Sequence, residues 1–223
     1  MSSGVSFILS PLGRTALAAL VDTSDVVVVA VRPQHVAGVL AEVAQLLGSR
    51  ALVSVAAGVS VEELSTALPA EARVARVMPN VAAALGLGVF LFVPGTLGEQ
   101  RAEIEQLFGL AGEVVALDEA EFDAATAVAG CMPGMLALLV RDFGHAGERC
   151  GLDAGVARRL AIAGVHGAAA VIAREGDPDA VIASAATPGG MTAAAIAVLE
   201  EREVAEALAL AVRAAAERAK ELK

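Results

Sequence analysis

The stretch Asp25-Val26-Val27-Val28-Val29-Ala30-Val31 decides the fold. Its unbroken run of β-branched valines is typical of a strand that is buried on both faces, as the strands of parallel sheets are. Arg32-Pro33-Gln34 follows, and His35–Leu47 then repeats its apolar residues at the period of a helix. A buried strand followed at once by an amphipathic helix predicts one repeating unit of an α/β sheet.

The same alternation of strands and helices extends over the first half of the chain. Short β-rich runs predict strands over Val5–Ser10, Asp25–Val31, Ala51–Ala56, Arg73–Met78, Gly88–Val93 and Glu113–Leu117. Helical patterns lie between most of these runs. We therefore predict an α/β fold for residues 1–118, with a mostly parallel, twisted sheet that is covered by helices.

Strand patterns end near Leu117. Ala-rich helical segments then follow near Glu119–Val128, Pro133–Cys150, Asp153–Arg174, Asp177–Ala185, Met191–Glu200 and Arg202–Leu222. Asp153 and Asp177 stand where N-cap residues are expected. The sequence therefore predicts a second, all-helical domain over residues 119–223. Several of its helices are too apolar to face water on all sides and must bury against something.

The composition argues against several functions. The chain has 223 residues, is 57% hydrophobic and 3% aromatic, and carries a formal net charge of −10. This acidic balance argues against nucleic-acid binding, which needs a basic surface. Val77–Gly98 and Ala124–Val140 carry no charge, but both contain Pro and Gly, so we predict buried pieces of a soluble protein rather than membrane spans. The first residues lack the basic region of a signal peptide, which predicts a cytoplasmic location.

The cysteines and histidines predict neither a disulfide nor a metal site. Cys131 and Cys150 fall on one predicted helix, whose rise separates them by about 28 Å. His35, His145 and His166 show no ligand spacing with either cysteine.

Three successive strand ends carry small or polar residues. Ala30-Val31-Arg32-Pro33-Gln34, Ala56-Ala57-Gly58 and Met78-Pro79-Asn80 each stand at the carboxyl end of a predicted strand. Small residues, Pro and Asn also simply end strands. In open α/β sheets, however, ligands bind beyond the carboxyl ends of the strands, so three such ends in succession predict one shared ligand crevice.

A glycine-rich turn precedes a predicted helix in the C-terminal half. Ala186-Thr187-Pro188-Gly189-Gly190-Met191-Thr192 opens an apolar-periodic run, and Thr192 is placed to cap the helix. Such a turn leaves backbone N–H groups exposed at the positive end of a helix dipole, which suits a carboxylate or phosphate. The alternative is an ordinary helix N-terminus with glycines in the turn.

Together with Ala129-Gly130-Cys131-Met132-Pro133, these stretches resemble the pyrroline-5-carboxylate reductase family. The family's motifs are an Ala-Val-Lys-Pro-Gln-like strand end, Ala-Ala-Gly, Met-Pro-Asn, Ser-Gly-Ser-Gly-Pro and Ser-Pro-Gly-Gly-Thr-Thr, and they occur here in the same order at compatible spacing. Leu199-Glu200-Glu201 is also similar to the family. The resemblance implies a Rossmann-like dinucleotide-binding domain and a helical domain through which subunits form a homodimer or higher oligomer. The implied reaction is hydride transfer from NADPH or NADH to the C=N carbon of a cyclic imino acid, which gives proline.

The resemblance also implies the site residues. The cofactor, NADP or NAD, would lie along a crevice that includes Ala30, Arg32, Pro33, Ala56, Ala57, Gly58 and Asn80. The imino acid would lie at the loop Ala129–Pro133 and at the glycine-rich turn, against Gly130, Cys131, Met132, Pro133, Thr187, Gly189, Gly190, Met191 and Thr192. Hydride chemistry belongs to the cofactor, so the protein must supply orientation and charge complementarity. No proton donor or other catalytic residue can be assigned from the sequence.

The sequence departs from the family in the dinucleotide-binding domain. Family members begin with a strand and a Gly-x-Gly-x-x-Gly turn that cradles the pyrophosphate, and this sequence has no such turn. The first strand, Val5–Ser10, resembles the family's second strand. Ser10 and Arg14 are therefore candidates to contact the ribose or a 2′-phosphate, and the expected domain is a truncated one.

The substrate segments are altered too. Cys131 and Met132 replace the family's Ser and Gly, and Met191 replaces the first of its paired Thr residues. A thioether in place of a hydroxyl removes a donor and adds bulk, so the predicted pocket is more apolar than usual. Arg141 stands where many members carry an acidic residue, either as an added carboxylate binder or as a surface cation.

Two hypotheses of function stay open at this point. The retained Ala-Ala-Gly, Met-Pro-Asn and Pro-Gly-Gly elements favour an NAD(P)H-dependent reductase that acts on a cyclic imino acid. The missing pyrophosphate turn favours a non-catalytic homologue, or a truncated product, that keeps the helical dimer as a binding or assembly module.

Overall fold

A computed structural model describes residues 5–8 and 14–221, with side chains from Leu17 onward. Its strands β1 to β6 form one sheet in chain order: Val5–Ile8, Val26–Val29, Ala51–Ser54, Arg73–Pro79, Gly88–Val93 and Gly112–Ala116. Neighbouring strands run parallel, except that β4 and β5 are antiparallel. The prediction of a mostly parallel sheet is confirmed, and each predicted strand has its counterpart.

The helices alternate with the strands and then continue without them. Helices α1 to α10 are Arg14–Asp22, Pro33–Leu47, Val61–Ala67, Arg101–Gly109, Phe122–Ala125, Met132–Arg149, Ala154–Glu175, Pro178–Ala185, Met191–Glu201 and Val204–Glu221. Short 3-10 turns span Val81–Leu85, Gly98–Gln100 and Glu119–Glu121, and Thr126–Gly130 forms a single π-helical turn. Both predicted N-caps are confirmed, since the carboxylates of Asp153 and Asp177 accept backbone N–H groups at the starts of α7 and α8.

The valine run of β2 is buried on both faces of the sheet, as the sequence predicted. Val27 and Val29 belong to the core that includes the apolar stripe of α2. Val26 and Val28 belong to the opposite core, which includes Ile104 of α4. Because successive side chains of a strand point to opposite faces, four valines in a row supply both cores at once.

The chain divides by its internal contacts into two compact units. The first comprises Met1–Cys131 together with Arg213–Lys223, and the second comprises Met132–Val212. This division differs from the boundary that the sequence suggested after residue 118. The physical reason is Phe122, which is buried in one cluster with Leu91 and Val93 of β5 and so joins the first helical residues to the sheet.

The second unit exposes much apolar surface. Glu119–Arg149 and Ala154–Glu175 are long and apolar enough to cross a membrane by length and composition alone, and little of either is buried. This is weak evidence for a membrane, because apolar helices of soluble proteins pass the same test. The burial that we expected for Ala124–Val140 is wrong within the single chain, since Leu138 and Leu139 are 48% and 43% exposed.

Candidate functional site

A small cavity lies within the first unit, where β3 and β4 end at their carboxyl termini. We call it the strand-end cavity; its volume is about 150 Å³. Its lining residues are Ala57, Gly58, Arg76, Met78, Phe122, Asp123, Thr126, Cys131, Ala215 and Ala219. The cavity therefore brings two of the predicted cofactor residues, Ala57 and Gly58, together with Cys131 of the predicted substrate segment.

A tight turn after β3 carries Ala57 and Gly58 to the cavity. The backbone N–H of Val55 still donates to the carbonyl of Val29, at 3.0 Å, so the sheet register extends to the edge of the turn. Ala56 is buried, and Gly58 has a φ of 75°, a left-handed conformation that favours glycine. With no bulky side chain at Ala57 or Gly58, a flat ligand can approach the backbone closely.

The most buried charge in the described part of the chain is Arg76 of β4, which lines the same cavity. It is 3% exposed, and its Nη1 atom donates to Oε1 of Glu119 at 2.5 Å. The guanidinium also stacks on Phe122, with 3.7 Å from its central carbon to the ring centroid. Oε2 of Glu119 accepts the backbone N–H of Val61 at the start of α3, at 3.2 Å. Sequence reasoning missed Arg76, although an arginine between apolar residues in the middle of a predicted strand was a signal for it.

Asn80, which follows β4, is hydrogen-bonded to three backbone groups of the protein. Its Oδ1 accepts the backbone N–H groups of Ala82 and Val89, and its Nδ2 donates to the carbonyl of Ala129 at 3.2 Å. Asn80, a predicted cofactor residue, therefore does not line the cavity. Its side-chain amide makes hydrogen bonds within the protein instead. What the amide holds is the π-helical turn that ends beside Cys131.

The segment Ala129–Pro133, which the sequence suggested as a loop, is helical. The backbone N–H of Cys131 donates to the carbonyl of Thr126 at 3.2 Å, which closes the π turn. Gly130 ends that turn, and α6 begins at Met132, with Pro133 as its second residue. The loop prediction is wrong because Gly and Pro are tolerated in a π turn and in a first helical turn, where fewer N–H groups need partners.

Two buried polar atoms among the cavity residues lack a hydrogen-bond partner. They are Nε of Arg76 and Oγ1 of Thr126. Buried donors and acceptors in native proteins are nearly always paired, so each such exception requires an explanation.

The strand end after β2 does not line this cavity. Ala30 is half-buried, and Arg32 is exposed at the N-cap of α2 without a side-chain bond. Pro33 starts α2 and lines a separate groove of about 280 Å³ between α2 and α3. The prediction of one crevice for all three strand ends therefore holds only for the ends of β3 and β4, because Pro33 turns the chain into α2 at once. Ser10 lies outside the described residues, as does the side chain of Arg14.

The glycine-rich turn at residues 186–192 belongs to the second unit and precedes α9. Gly190 donates to the carbonyl of Thr187 at 2.9 Å, and Gly189 has a φ of 75°. Gly190 is the N-cap of α9, which has no side-chain cap. The prediction that Thr192 caps the helix is wrong, because α9 already begins at Met191. The first bond of the helix is donated by Ala194, which leaves the preceding N–H groups available at an exposed helix end.

The remaining predicted features lie on the surface of α6 or at its ends. Cys131 precedes α6 and Cys150 follows it, and both are free thiols. Arg141 pairs with its neighbour Asp142 at 2.9 Å, with both side chains exposed, which agrees with a surface cation. It also lines a groove of about 680 Å³ between α6 and α7. Within the described ranges, no group of three or more His, Cys, Asp or Glu side chains could hold a metal ion.

Two family descriptions match successive parts of the chain. Residues 11–58 match the NADP oxidoreductase, coenzyme F420-dependent family, and residues 119–222 match the pyrroline-5-carboxylate reductase dimerisation family. The first match covers β2 and β3, and the second begins at Glu119. Together with the sheet and the helices that follow it, these matches define a class of protein: a Rossmann-like oxidoreductase domain followed by a helical dimerisation domain.

Whole-chain comparisons narrow this class to one family. Pyrroline-5-carboxylate reductase of Corynebacterium melassecola is 34% identical over 208 residues, which cover 90% of this chain and 77% of that protein. The structure of a pyrroline-5-carboxylate reductase from Coxiella burnetii is 28% identical and has a TM-score of 0.88, over 93% of this chain and 79% of that one. Plasmodium falciparum pyrroline carboxylate reductase with NADP bound shares the fold, with a TM-score of 0.82 at 24% identity over 98% of this chain and 86% of that one. The chain belongs to the pyrroline-5-carboxylate reductase family, as its motifs indicated.

Proposed function

We propose that the protein reduces a cyclic imino acid of the pyrroline-5-carboxylate type to the saturated amino acid, with NADPH or NADH as the hydride donor. The observation that carries this proposal is the strand-end cavity, in which Ala57 and Gly58 of the predicted cofactor segment meet Cys131 of the predicted substrate segment. Membership of the reductase family supports the reaction type.

The cofactor, when bound, supplies the hydride, and the chain's own residues must bind and orient it. Ala57 and Gly58 offer backbone without bulky side chains at a strand end, which is where dinucleotide-binding sheets receive their ligands. The buried guanidinium of Arg76 and the thiol of Cys131, which belong to lining residues, add polar groups around the same cavity. The residues present therefore fit a nicotinamide ring with its polar substituent.

We assign the carboxylate of the imino acid to the N-terminus of α9. Met191 and Thr192 precede the first intrahelical donor, so their N–H groups and the helix dipole favour an anion there. Gly190 keeps the turn open, since a Cβ at this position would lie 2.6 Å from Oγ1 of Thr187. Met191 is 92% exposed and contributes no hydroxyl, so the backbone carries the binding.

We also propose that the second unit forms a homodimer or a higher homo-oligomer. Phe143 and Ile162 are 62% and 56% exposed on α6 and α7, together with many other apolar side chains of this unit. Large exposed apolar side chains in such number are typical of protein interaction surfaces. The match to a dimerisation family over residues 119–222 favours a second copy of the chain as the partner.

The test is a calorimetric titration of the purified full chain with NADPH and NADH, followed by an assay of cofactor oxidation with pyrroline-5-carboxylate. We expect binding of at least one cofactor below millimolar concentration and oxidation that depends on the imino acid. Failure to bind either cofactor at millimolar concentration would contradict the proposal.

The second candidate is a non-catalytic homologue, favoured by the many apolar side chains that the second unit exposes for assembly. Such a protein would assemble through its second unit without binding a dinucleotide. An oligomer by light scattering, combined with no cofactor binding in the same titration, would favour this candidate over the reductase.

A further inference from the structure

The carboxylate of Glu119 joins three segments of the first unit that are far apart in the sequence. Glu119 begins the 3-10 turn that follows β6. Its Oε1 accepts a hydrogen bond from Nη1 of Arg76 in β4 at 2.5 Å, and its Oε2 accepts the backbone N–H of Val61, the first residue of α3, at 3.2 Å. These partners lie 43 and 58 positions before it in the chain. One side chain therefore ties β4 and α3 to the residues that follow the sheet.

The contact with α3 holds one end of the segment that connects β3 to α3. We call this segment, residues 55–60, the strand-end turn; it includes the two predicted cofactor residues that line the strand-end cavity. At the β3 end, the backbone N–H of Val55 donates to the carbonyl of Val29 at 3.0 Å. At the α3 end, Glu119 accepts the N–H of Val61. The strand-end turn is therefore held at both ends, and the second contact comes from a distant part of the chain.

Glu119 is a firm anchor because its own position is fixed. Arg76 is 3% exposed, and its guanidinium stacks on Phe122 with 3.7 Å from its central carbon to the ring centroid. A hydrogen bond between a guanidinium and a carboxylate is stronger than one between neutral groups. The N-terminus of α3 also favours a negative charge beside it. The carboxylate is thus held from both sides.

The strand-end turn benefits from such an anchor because it contains Gly58. This residue has a φ of 75°, and glycine loses more conformational freedom than any other residue when it is ordered. A ligand that binds one conformation of the turn binds more weakly when the turn spends time in others. Fixing the turn before the ligand arrives therefore raises the affinity.

We propose that Glu119 is a positioning residue for the dinucleotide cofactor, because it holds the strand-end turn in the conformation that binds the cofactor. This assignment rests on the proposed function, which supplies the cofactor. Glu119 is not among the residues that line the strand-end cavity, so its effect passes through the N–H of Val61 and the backbone of the turn.

Two variants of the full chain remove the anchor in different ways. Glu119→Gln keeps the length of the side chain but has one acceptor oxygen in place of two, so it cannot serve both partners in the same way. Val61→Pro removes only the N–H and leaves the carboxylate with Arg76. Proline is favoured at the first residue of a helix, and Ser60 already has the extended conformation, φ −78° and ψ 162°, that precedes a proline.

The matched control is Ile104→Val. Ile104 is fully buried in α4, which packs against β6, so the variant loses one buried methylene without touching Glu119 or the strand-end turn. Thermal unfolding checks that each variant folds. Dissociation constants for NADP⁺ (or NAD⁺, if the wild type binds it more tightly) are measured by calorimetry. The KM for the reduced cofactor and kcat are measured with pyrroline-5-carboxylate as substrate.

We expect Glu119→Gln and Val61→Pro each to weaken cofactor binding about fivefold, because each loses the hydrogen bond that fixes the turn. The KM for the cofactor should rise by a similar factor, while kcat at saturating cofactor stays within about twofold, since bound cofactor itself orders the turn. Ile104→Val should match the wild type within about twofold in all three quantities. A purely structural role of Glu119 would not produce this difference between variants of lowered stability.

Three results would overturn the assignment. The first is an unchanged affinity in both anchor variants. The second is a loss in Glu119→Gln without a loss in Val61→Pro, because the effect would then pass through Arg76 and not through the turn. The third is an equal loss in Ile104→Val. In each of these cases the wild type still binds its cofactor and the proposed function stands. A wild-type chain that binds neither NADP⁺ nor NAD⁺ would overturn the proposed function, and the assignment of Glu119 with it.

Discussion

The guanidinium carbon of Arg76 lies 3.7 Å from the ring centroid of Phe122, which joins β4 to the first helix after the sheet. Both residues are almost fully buried, so the contact is shielded from water. Cation–π contacts of this kind strengthen when they are desolvated. This contact helps to explain why residues 119–131 fold with the sheet, although the match to the dimerisation family begins at Glu119.

Removing the partner of Arg76 should destabilise the first unit. Glu119→Ala leaves the buried guanidinium unpaired and removes the acceptor of the Val61 N–H. We expect a loss of about 2–4 kcal/mol in the free energy of unfolding, measured by urea denaturation. Glu103→Ala, on the exposed face of α4, is the control and should change the free energy by less than about 0.5 kcal/mol. Equal effects of the two variants would contradict this account of Glu119.

The donor of Asn80 should control the mobility of the π turn. Asn80→Asp keeps the acceptor for Ala82 and Val89 but replaces the Nδ2 donor to the Ala129 carbonyl with an oxygen. We expect the amide of Cys131, which closes the π turn, to exchange its hydrogen about tenfold faster, measured by hydrogen–deuterium exchange. Amides of α7 serve as the internal reference. An unchanged exchange rate at Cys131 would show that the Asn80 amide does not hold the turn.

A side chain at Gly190 should disturb the turn before α9. In Gly190→Ala the new Cβ would lie 2.6 Å from Oγ1 of Thr187, which must rotate away, and 3.0 Å from the carbonyl oxygen of Thr187, which must move by a few tenths of an ångström. We expect proline, as a ligand that carries the carboxylate, to bind about tenfold more weakly in a calorimetric titration. Gly164→Ala is the matched control, because no atom lies within 4 Å of the new Cβ there. Normal proline affinity in Gly190→Ala would remove the carboxylate assignment.

The exposed apolar face of the second unit should be needed for assembly. Ile162→Asp places a charge on α7 at a position that is 56% exposed in the single chain. If a second copy covers this face, burying the charge is costly and the assembly should dissociate to monomers, as measured by light scattering. Ala102→Asp, on the exposed side of α4, is the control and should keep the wild-type mass. An oligomer that survives Ile162→Asp unchanged would place the interface elsewhere.

Local patterns in the sequence were sufficient to predict most of the strands and helices and the parallel sheet. The valine run of β2 determines a strand with two buried faces, and its alternation with α2 determines a parallel sheet. Asp153 and Asp177 act as N-caps where the pattern places them. These features depend on neighbours a few residues apart, so propensity and periodicity are enough to predict them. The family motifs likewise stand in the chain itself.

Contacts between distant residues were decided only by the tertiary structure. Arg76 and Glu119 are separated by 43 positions in the sequence, and Asn80 and Ala129 by 49. No local sequence pattern therefore predicts either contact. Two further features depend on backbone geometry that Gly and Pro alone do not determine. One is the start of α9 at Met191, which excludes Thr192 as its cap, and the other is the π turn in place of the predicted loop. The sequence by itself therefore determined the order of strands and helices and the family. Packing determined which side chains line the strand-end cavity, because a buried arginine is stable only where its distant partners meet it.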